Sequence, residues 1–170
     1  TRHNNALGKK EEAEFNLINT LTQLFQYLSQ QAGEKGVDFI IDLPSEPINT
    51  HGLEARLAQV FVNLVTNAIS FCEDGDAVRV WARRRENRVL VVVEDTGPGI
   101  PEEALTKIFK RFYSERPKGD FGNHSGLGLA ISKQIIEAHG GVIWAENIRP
   151  TAADPTSPPL GARFVIGLPV

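Results

Sequence analysis

Apolar residues recur at helical spacing in three long segments of the chain. Large apolar side chains return every three or four positions over residues 18–32, 53–71 and about 127–139, and this pattern predicts three helices. Glycines directly follow the first and third segments and are typical of helix ends. A shorter apolar pattern predicts a fourth, brief helix over residues 102–109.

Alternating or continuous short apolar runs predict strands between these helices. The predicted strands cover residues 15–17, 37–43, 77–85, 88–94, 142–146 and 162–168. Only Glu86 and Asn87 separate the third strand from the fourth, so we expect a tight antiparallel hairpin there. Mixed helices and antiparallel strands predict an α/β (α+β) two-layer sandwich with the helices on one face of the sheet.

The amino-acid composition restricts the class of protein but does not indicate a particular function. The 170 residues are 41% hydrophobic and 23% charged, which is typical of one folded globular domain. The longest apolar run is residues 89–93, and residues 1–14 are too polar for a secretory signal. A single cysteine, Cys72, excludes an internal disulfide, and a net charge of −3 does not suggest nucleic-acid binding.

One stripe of the second predicted helix carries four polar side chains. Gln59, Asn63, Asn67 and Ser70 fall within about 80° of one another at helical spacing. Asparagine is a poor helix former, so two of them one turn apart need an explanation. The stripe is either a solvated face or a paired amide site whose oxygens coordinate a hard cation such as Mg²⁺ beside phosphates.

An acidic residue and two glycines follow the predicted strand over residues 88–94. Asp95 stands where its carboxylate can accept a hydrogen bond from an exocyclic amine such as that of adenine. Gly97 and Gly99 permit close approach of the backbone to a planar ligand, and Ile100 follows them. A simple turn after a core strand is the alternative explanation.

Glycines also open the third predicted helix, in the run Ser125, Gly126, Leu127, Gly128 and Leu129. Backbone N–H groups at a helix N-terminus favour phosphate, although glycines occur at helix starts for packing reasons as well. The spacing meets neither the dinucleotide-binding fingerprint nor the phosphate-loop motif with its lysine.

Together with residues 108–113, these motifs resemble four conserved boxes of a known family. Asn63 and Asn67, then Asp95 to Ile100, then Ile108 to Tyr113, then Ser125 to Leu129 are similar in order and spacing to the N, G1, F and G2 boxes. Those boxes belong to the catalytic ATP-binding domain of bacterial sensor histidine kinases, in the GHKL (Bergerat) superfamily. The sequence around Phe112 and Phe121 is most like the ChvG/BvrS-like group of alphaproteobacterial sensors.

The resemblance implies a Bergerat ATP-binding fold with a mixed sheet, helices on one face and a mobile ATP lid, here residues 114–125. It implies that Asp95 binds the adenine amine, that Asn63 and Asn67 hold Mg²⁺ and phosphate, and that Arg111 contacts the reacting phosphate. The implied ATP contacts are Asn63, Asn67, Ser70, Phe71, Asp95, Gly97, Gly99, Ile100, Phe109, Phe112, Tyr113, Ser125, Gly126, Leu127, Gly128 and Leu129.

The family also implies the reaction and its partners. The γ-phosphoryl group of ATP passes to a histidine on the kinase's own dimerisation and phosphotransfer domain, and then to a cognate response regulator. Residues 1–14 are then a linker from that domain, and residues 15–170 the catalytic domain. Such a domain is cytoplasmic, belongs to an inner-membrane sensor, and itself contacts neither membrane nor nucleic acid.

Three other functions stay open beside the family's kinase reaction. Ser70 and His124 stand where many members carry lysine and glycine, and no phosphoacceptor motif surrounds any histidine of the chain. The alternatives are an ATPase of the gyrase, chaperone or mismatch-repair type, a serine kinase that acts on an anti-sigma partner, and a nucleotide-binding regulatory module without catalysis. The ATPases carry a glutamate base four residues before the magnesium asparagine, where this chain has Asn63.

Overall fold

A five-stranded mixed sheet forms one layer of the protein. The computed structural model describes residues 12–111, 113, 128–151 and 156–170. In chain order the strands of this sheet are β2 (Asp38–Asp42), β4 (Ala77–Arg85), β5 (Arg88–Asp95), β6 (Val142–Ile148) and β7 (Gly161–Pro169). Their spatial order is β2-β4-β5-β7-β6, with only the β2–β4 pair parallel.

The second layer consists of three helices, α1 (Leu17–Glu34), α2 (Glu54–Phe71) and α3 (Gly128–Ala138). A small antiparallel pair, β1 (Ala13–Asn16) and β3 (Asn49–Gly52), lies at the starts of α1 and α2. Asn16 caps α1, because its Oδ1 accepts a hydrogen bond from the Ile18 N–H at 3.1 Å. Among the described residues, no helix is long and apolar enough to cross a bilayer.

The core lies between the helices and one face of the sheet. Every second residue of the central strands points into it: Val78, Val80, Ala82, Val89, Val91, Val93, Phe164, Ile166 and Leu168. Fully buried side chains from the helices meet this face, among them Phe25, Leu57, Phe61, Leu64 and Ile136. The prediction of a two-layer α/β sandwich with helices on one face is therefore confirmed.

The opposite face of the sheet carries a charged row that crosses four strands. Arg79, Glu94, Arg163 and Glu146 face one another in register. Arg79 pairs with Glu94 at 3.2 Å, and Arg163 pairs with Glu94 at 2.9 Å. One face of the sheet takes the core and the other carries this charged row, so successive residues of each strand alternate between the two faces.

The predicted elements agree with the structure except in three places. The single helix predicted over residues 102–109 is wrong: two short 3₁₀ turns, Glu102–Ala104 and Lys107–Phe109, occupy this segment. Eight residues are too few for a stable isolated helix, and burial of Ala104 and Ile108 favours separate tight turns instead. The strand β3 was not predicted, and β1 occupies residues 13–16 where 15–17 was expected.

Helices α2 and α3 pack antiparallel and are joined by side-chain hydrogen bonds at both ends. Near the start of α3, the Asn63 amide nitrogen lies 3.3 Å from the Ser132 Oγ. At the other end, the Leu53 N–H donates to the His139 Nε2 at 3.0 Å, while the His139 Nδ1 lies 2.8 Å from the Ile135 carbonyl oxygen. The ring therefore carries its proton on Nδ1 and accepts on Nε2.

The close approach of the His139 ring requires glycine at position 52. A Cβ atom on Gly52 would lie 2.4 Å from the ring Cδ2, and two hydrogen bonds oppose movement of the ring. We expect Gly52→Ala to lower the free energy of unfolding by about 1–3 kcal/mol, the usual cost of overpacking. Urea unfolding measures the change.

Gly33→Ala is the matched control for this substitution. Gly33 lies within α1, and an added Cβ there meets no heavy atom within 4 Å. It should raise the free energy of unfolding by up to about 1 kcal/mol, because alanine is the better helix former. Equal effects of the two substitutions would contradict the proposed contact with His139.

Candidate nucleotide-binding site

The polar stripe of α2 that contains Asn63, Asn67 and Ser70, called the amide stripe below, reaches the start of α3 at Asn63. The buried face of α2 fixes its rotation, and this leaves Asn63 and Asn67 half-buried, with Asn63 on the side toward α3. The Asn63 Nδ2 lies 3.5 Å from the Gly128 carbonyl oxygen as well as 3.3 Å from Ser132. Because a carbonyl oxygen only accepts, these contacts assign the amide nitrogen to α3 and orient the Oδ1 away from it.

The last turn of α2 brings the helix end to the loop after β5. The Ser70 hydroxyl donates to the Asn67 carbonyl oxygen at 2.5 Å, which closes the turn locally. A side-chain atom built on Gly97 would lie 3.2 Å from the Phe71 carbonyl oxygen, so loop and helix are in close approach. The predicted N and G1 motifs therefore meet in space.

Among the described residues, Asp95 is the one charged residue that is buried, with 6% of its surface exposed. Its Oδ1 accepts a hydrogen bond from the Gly97 N–H at 2.9 Å. Burial raises the pKa of Asp95 to about 6, although backbone N–H groups of Gly97 and Ala162 act in the opposite direction. A perturbed carboxyl at the end of a core strand is a candidate for ligand recognition.

The loop between Gly97 and Ile100 is held in one conformation by residues outside the motif. Gly99 has a φ of +84°, a conformation that glycine adopts without strain. Asn147, at the end of β6, forms hydrogen bonds with both the N–H and the carbonyl of Ile100. Sequence reasoning did not identify Asn147, because a lone asparagine at a strand end carries no local pattern.

Phe109, the first aromatic residue of the predicted F motif, packs against the core. Phe109 packs edge-on against Phe164 of β7 with ring centroids 6.1 Å apart, and the Lys133 ammonium lies 5.7 Å from the Phe109 ring centroid. Tyr113 also packs against the core, while Arg111 is exposed. These contacts support Phe109 as a fixed point of the site.

Four predicted site residues lie outside the described residues: Phe112, Ser125, Gly126 and Leu127. The predicted lid over residues 114–125 lies outside them as well. Gly128 and Leu129 are in the first turn of α3, so part of the G2 motif lies next to Asn63. The contacts therefore join the amide stripe to the G1 loop at one end and to the G2 motif at the other.

Fold and site together define a nucleotide-binding domain of a known class. Residues 52–170 match the family described as histidine kinase-, DNA gyrase B-, and HSP90-like ATPase, and the chain belongs to that family. Within the family it is an ATP-binding catalytic domain of the sensor histidine kinase kind, as the following relatives show.

Sensor protein ChvG of Rhizobium meliloti (strain 1021) is 42% identical over 171 residues, which cover 96% of this chain. The chain spans 29% of the length of that relative. The catalytic domain of histidine kinase ThkA has the same fold, with a TM-score of 0.79 and 31% identity over 94% of this chain and 95% of its own. ThkA in complex with response regulator protein TrrA matches with a TM-score of 0.74 and 30% identity, over 93% of this chain and 41% of that one.

The raised pKa of Asp95 predicts an unusual dependence of stability on pH. When the pKa of a carboxyl is higher in the folded than in the unfolded state, its ionisation destabilises the folded protein. The free energy of unfolding that Asp95 contributes therefore falls as pH rises from about 4 to about 6. Asn cannot ionise. The free energy of unfolding of Asp95→Asn relative to wild type should therefore increase by about 1–3 kcal/mol between pH 4 and pH 7.

Urea unfolding of both proteins at the two pH values measures this difference, and titrating groups that do not interact with Asp95 cancel in the comparison. A difference that stays constant with pH would show that Asp95 titrates normally.

Proposed function

We propose that this chain binds Mg²⁺-ATP and transfers the γ-phosphoryl group to a histidine of a separate helical domain. The orientation of the Asn63 side-chain amide is the observation that supports this proposal most directly. Its amide nitrogen is committed to Ser132 and to the Gly128 carbonyl, so its Oδ1 is the atom that remains for a cation or a water of its shell. An amide also cannot remove a proton from water at neutral pH, which favours transfer to a protein over hydrolysis.

Magnesium suits the donors of α2. Mg²⁺ prefers oxygen ligands, keeps several waters and is commonly held by a few protein groups together with phosphates. Asn63 and Asn67 stand one turn apart on the same side of α2, so both amide oxygens can face one octahedral ion. When bound, the ion would neutralise charge on the transferring phosphoryl group.

Adenine recognition falls to Asp95. Its carboxylate is ionised at neutral pH, since its pKa lies near 6, and it is buried with 6% of its surface exposed. An exocyclic amine supplies a further hydrogen-bond donor to a charged acceptor that is otherwise poorly solvated. Guanine presents a carbonyl oxygen at the equivalent position, so the same carboxylate disfavours it.

The proposed reaction requires little covalent chemistry from the chain. The bond between the γ-phosphorus and the β,γ-bridging oxygen breaks, a bond from that phosphorus to the acceptor histidine nitrogen forms, and ADP leaves. Catalysis of this kind depends mainly on positioning and charge neutralisation. We assign positioning to Asn63 and Asn67, and a charge contact with the phosphoryl group to the exposed Arg111.

The proposed partners are the kinase's own dimerisation and phosphotransfer domain and a cognate response regulator. The complex of ThkA with TrrA supports the second partner, since this chain has the fold of ThkA. We further propose that residues 15–170 form the catalytic domain of a cytoplasmic region in an inner-membrane sensor, and that residues 1–14 link it to the acceptor domain. The similarity to a sensor protein more than three times as long supports this arrangement.

Nucleotide binding should depend on Mg²⁺ through Asn67. We expect Asn67→Ala to weaken Mg²⁺-ADP at least about tenfold, while the affinity for ADP in the presence of a chelator changes little, because the substitution removes a metal ligand. Isothermal titration calorimetry with and without Mg²⁺ measures both affinities. Asn87→Ala, an exposed asparagine of the β4–β5 turn, is the matched control and should bind as wild type does.

No binding of wild type at millimolar ADP would reject the nucleotide site itself. Equal losses with and without Mg²⁺ would reject the role of Asn67 in metal binding.

Phosphoryl transfer should require an added acceptor domain. With radiolabelled ATP and the dimerisation domain of a ChvG-type sensor, we expect acid-labile label on that domain. The chain alone should label none of His51, His124 and His139, since none lies in an acceptor motif. Rapid release of free phosphate, at the same rate with and without the acceptor domain, would instead identify a hydrolase.

A further inference from the structure

Asn147 makes a paired amide contact with the backbone of the loop that follows β5. Its Oδ1 accepts a hydrogen bond from the Ile100 N–H at 2.8 Å, and its Nδ2 donates to the Ile100 carbonyl oxygen at 2.7 Å. Donor and acceptor of one side chain thus satisfy donor and acceptor of one residue, as a neighbouring strand does. This pairing fixes the orientation of the Ile100 peptide groups.

The strand register places Asn147 in the same row as Asp95. Asp95 of β5 is opposite Ala162 of β7, and Ala162 is opposite Asn147 of β6. Residues directly opposite one another share a face of the sheet, so both polar side chains lie on the helix-facing side, two strand spacings or about 10 Å apart. The loop from Asp95 to Ile100 therefore connects two fixed polar side chains, Asp95 and Asn147, which lie on either side of the small Ala162.

Further contacts hold the Asn147 side chain in place. The Asn147 Nδ2 lies 3.3 Å from the Glu102 Oε1, and the Arg149 guanidinium pairs with the same carboxylate and donates to the Ser157 carbonyl oxygen. The Arg149 partnership holds the pKa of Glu102 below its usual range, so this carboxylate stays an acceptor. A side chain on Gly99 would meet the Asn147 Oδ1 at 2.9 Å, which shows how closely the loop packs.

We propose that Asn147 is a positioning residue for nucleotide binding: it clamps Ile100 so that Asp95 and Gly97 are held in the geometry that receives the adenine ring. The inference rests on the proposed function, because it assigns the loop to adenine. Two anchors define the loop, the Gly97 N–H on Asp95 at one end and Ile100 on Asn147 at the other. Gly99, at φ +84°, is the pivot between them.

Loss of the clamp should act on the population of the competent loop. When a binding-competent state is only partly populated, the apparent dissociation constant rises by the inverse of its fraction. Two lost hydrogen bonds predict about a tenfold weaker affinity for ADP in Asn147→Ala. Calorimetry measures the affinity, and amide hydrogen exchange followed by NMR reports on the Ile100 N–H in the protein without nucleotide.

Two further variants separate positioning from general damage. Asn147→Asp is isosteric and can still accept from the Ile100 N–H, but it cannot donate to the Ile100 carbonyl and adds a charge beside Glu102. We expect it to bind ADP as weakly as Asn147→Ala. Glu146→Ala is the matched control on the same strand: it removes side-chain contacts with Trp144 and Arg163 on the opposite face and should bind as wild type does.

The outcomes distinguish this inference from the proposed function. Faster Ile100 exchange in Asn147→Ala, with weaker ADP binding in both Asn147 variants only, supports the clamp. ADP affinity within twofold of wild type in either Asn147 variant, or an equal loss in Glu146→Ala, overturns it. If wild type itself does not bind ADP, the proposed function fails, and the positioning role for adenine fails with it. Unchanged Ile100 exchange in Asn147→Ala would overturn the clamp even if wild type binds ADP.

Discussion

The antiparallel packing of α2 on α3 is the contact on which the whole candidate site depends. A helix pair joined at one point can pivot, whereas hydrogen bonds at both ends fix its relative rotation. Here Asn63 meets Ser132 at one end and Leu53 meets His139 at the other. Asn63 belongs both to this junction and to the proposed magnesium site. The packing of α2 on α3 therefore sets the direction of its side-chain Oδ1.

In the other half of the site, burial acts against the charge of Asp95, whereas it stabilises the apolar side chains of the core. Asp95 is buried as the core side chains are, and this burial raises the pKa of its carboxyl to about 6. Hydrogen bonds from Gly97 and Ala162 offset only part of the cost of keeping that charge. The proposed adenine amine would offset more of it. Under that proposal, function and stability compete at Asp95, as is common where a protein holds an under-solvated polar group for recognition.

Hydrophobic patterning predicted the three helices and the five strands of the main sheet, because most of these elements bury a regular set of apolar side chains. It missed β3, whose sequence Asn-Thr-His-Gly has no apolar alternation and which depends on pairing with β1. It also joined two 3₁₀ turns into one helix, since Ala104 and Ile108 have helical spacing. The local motifs identified Asn63, Asn67 and Asp95. The structure brings the N motif, the G1 motif and the described part of the G2 motif together, while their roles toward ATP stay predictions.

The residues that sequence reasoning missed have one physical property in common. Those expected to touch nucleotide occur in short motifs, because one helix turn or one loop presents several groups to a ligand at once. The groups that hold them come from far along the chain: His139 is 86 residues from Leu53, and Asn147 is 47 residues from Ile100. Intact motifs are therefore necessary for a formed site but do not guarantee one, because the geometry of each motif is set by a partner that no local pattern reveals.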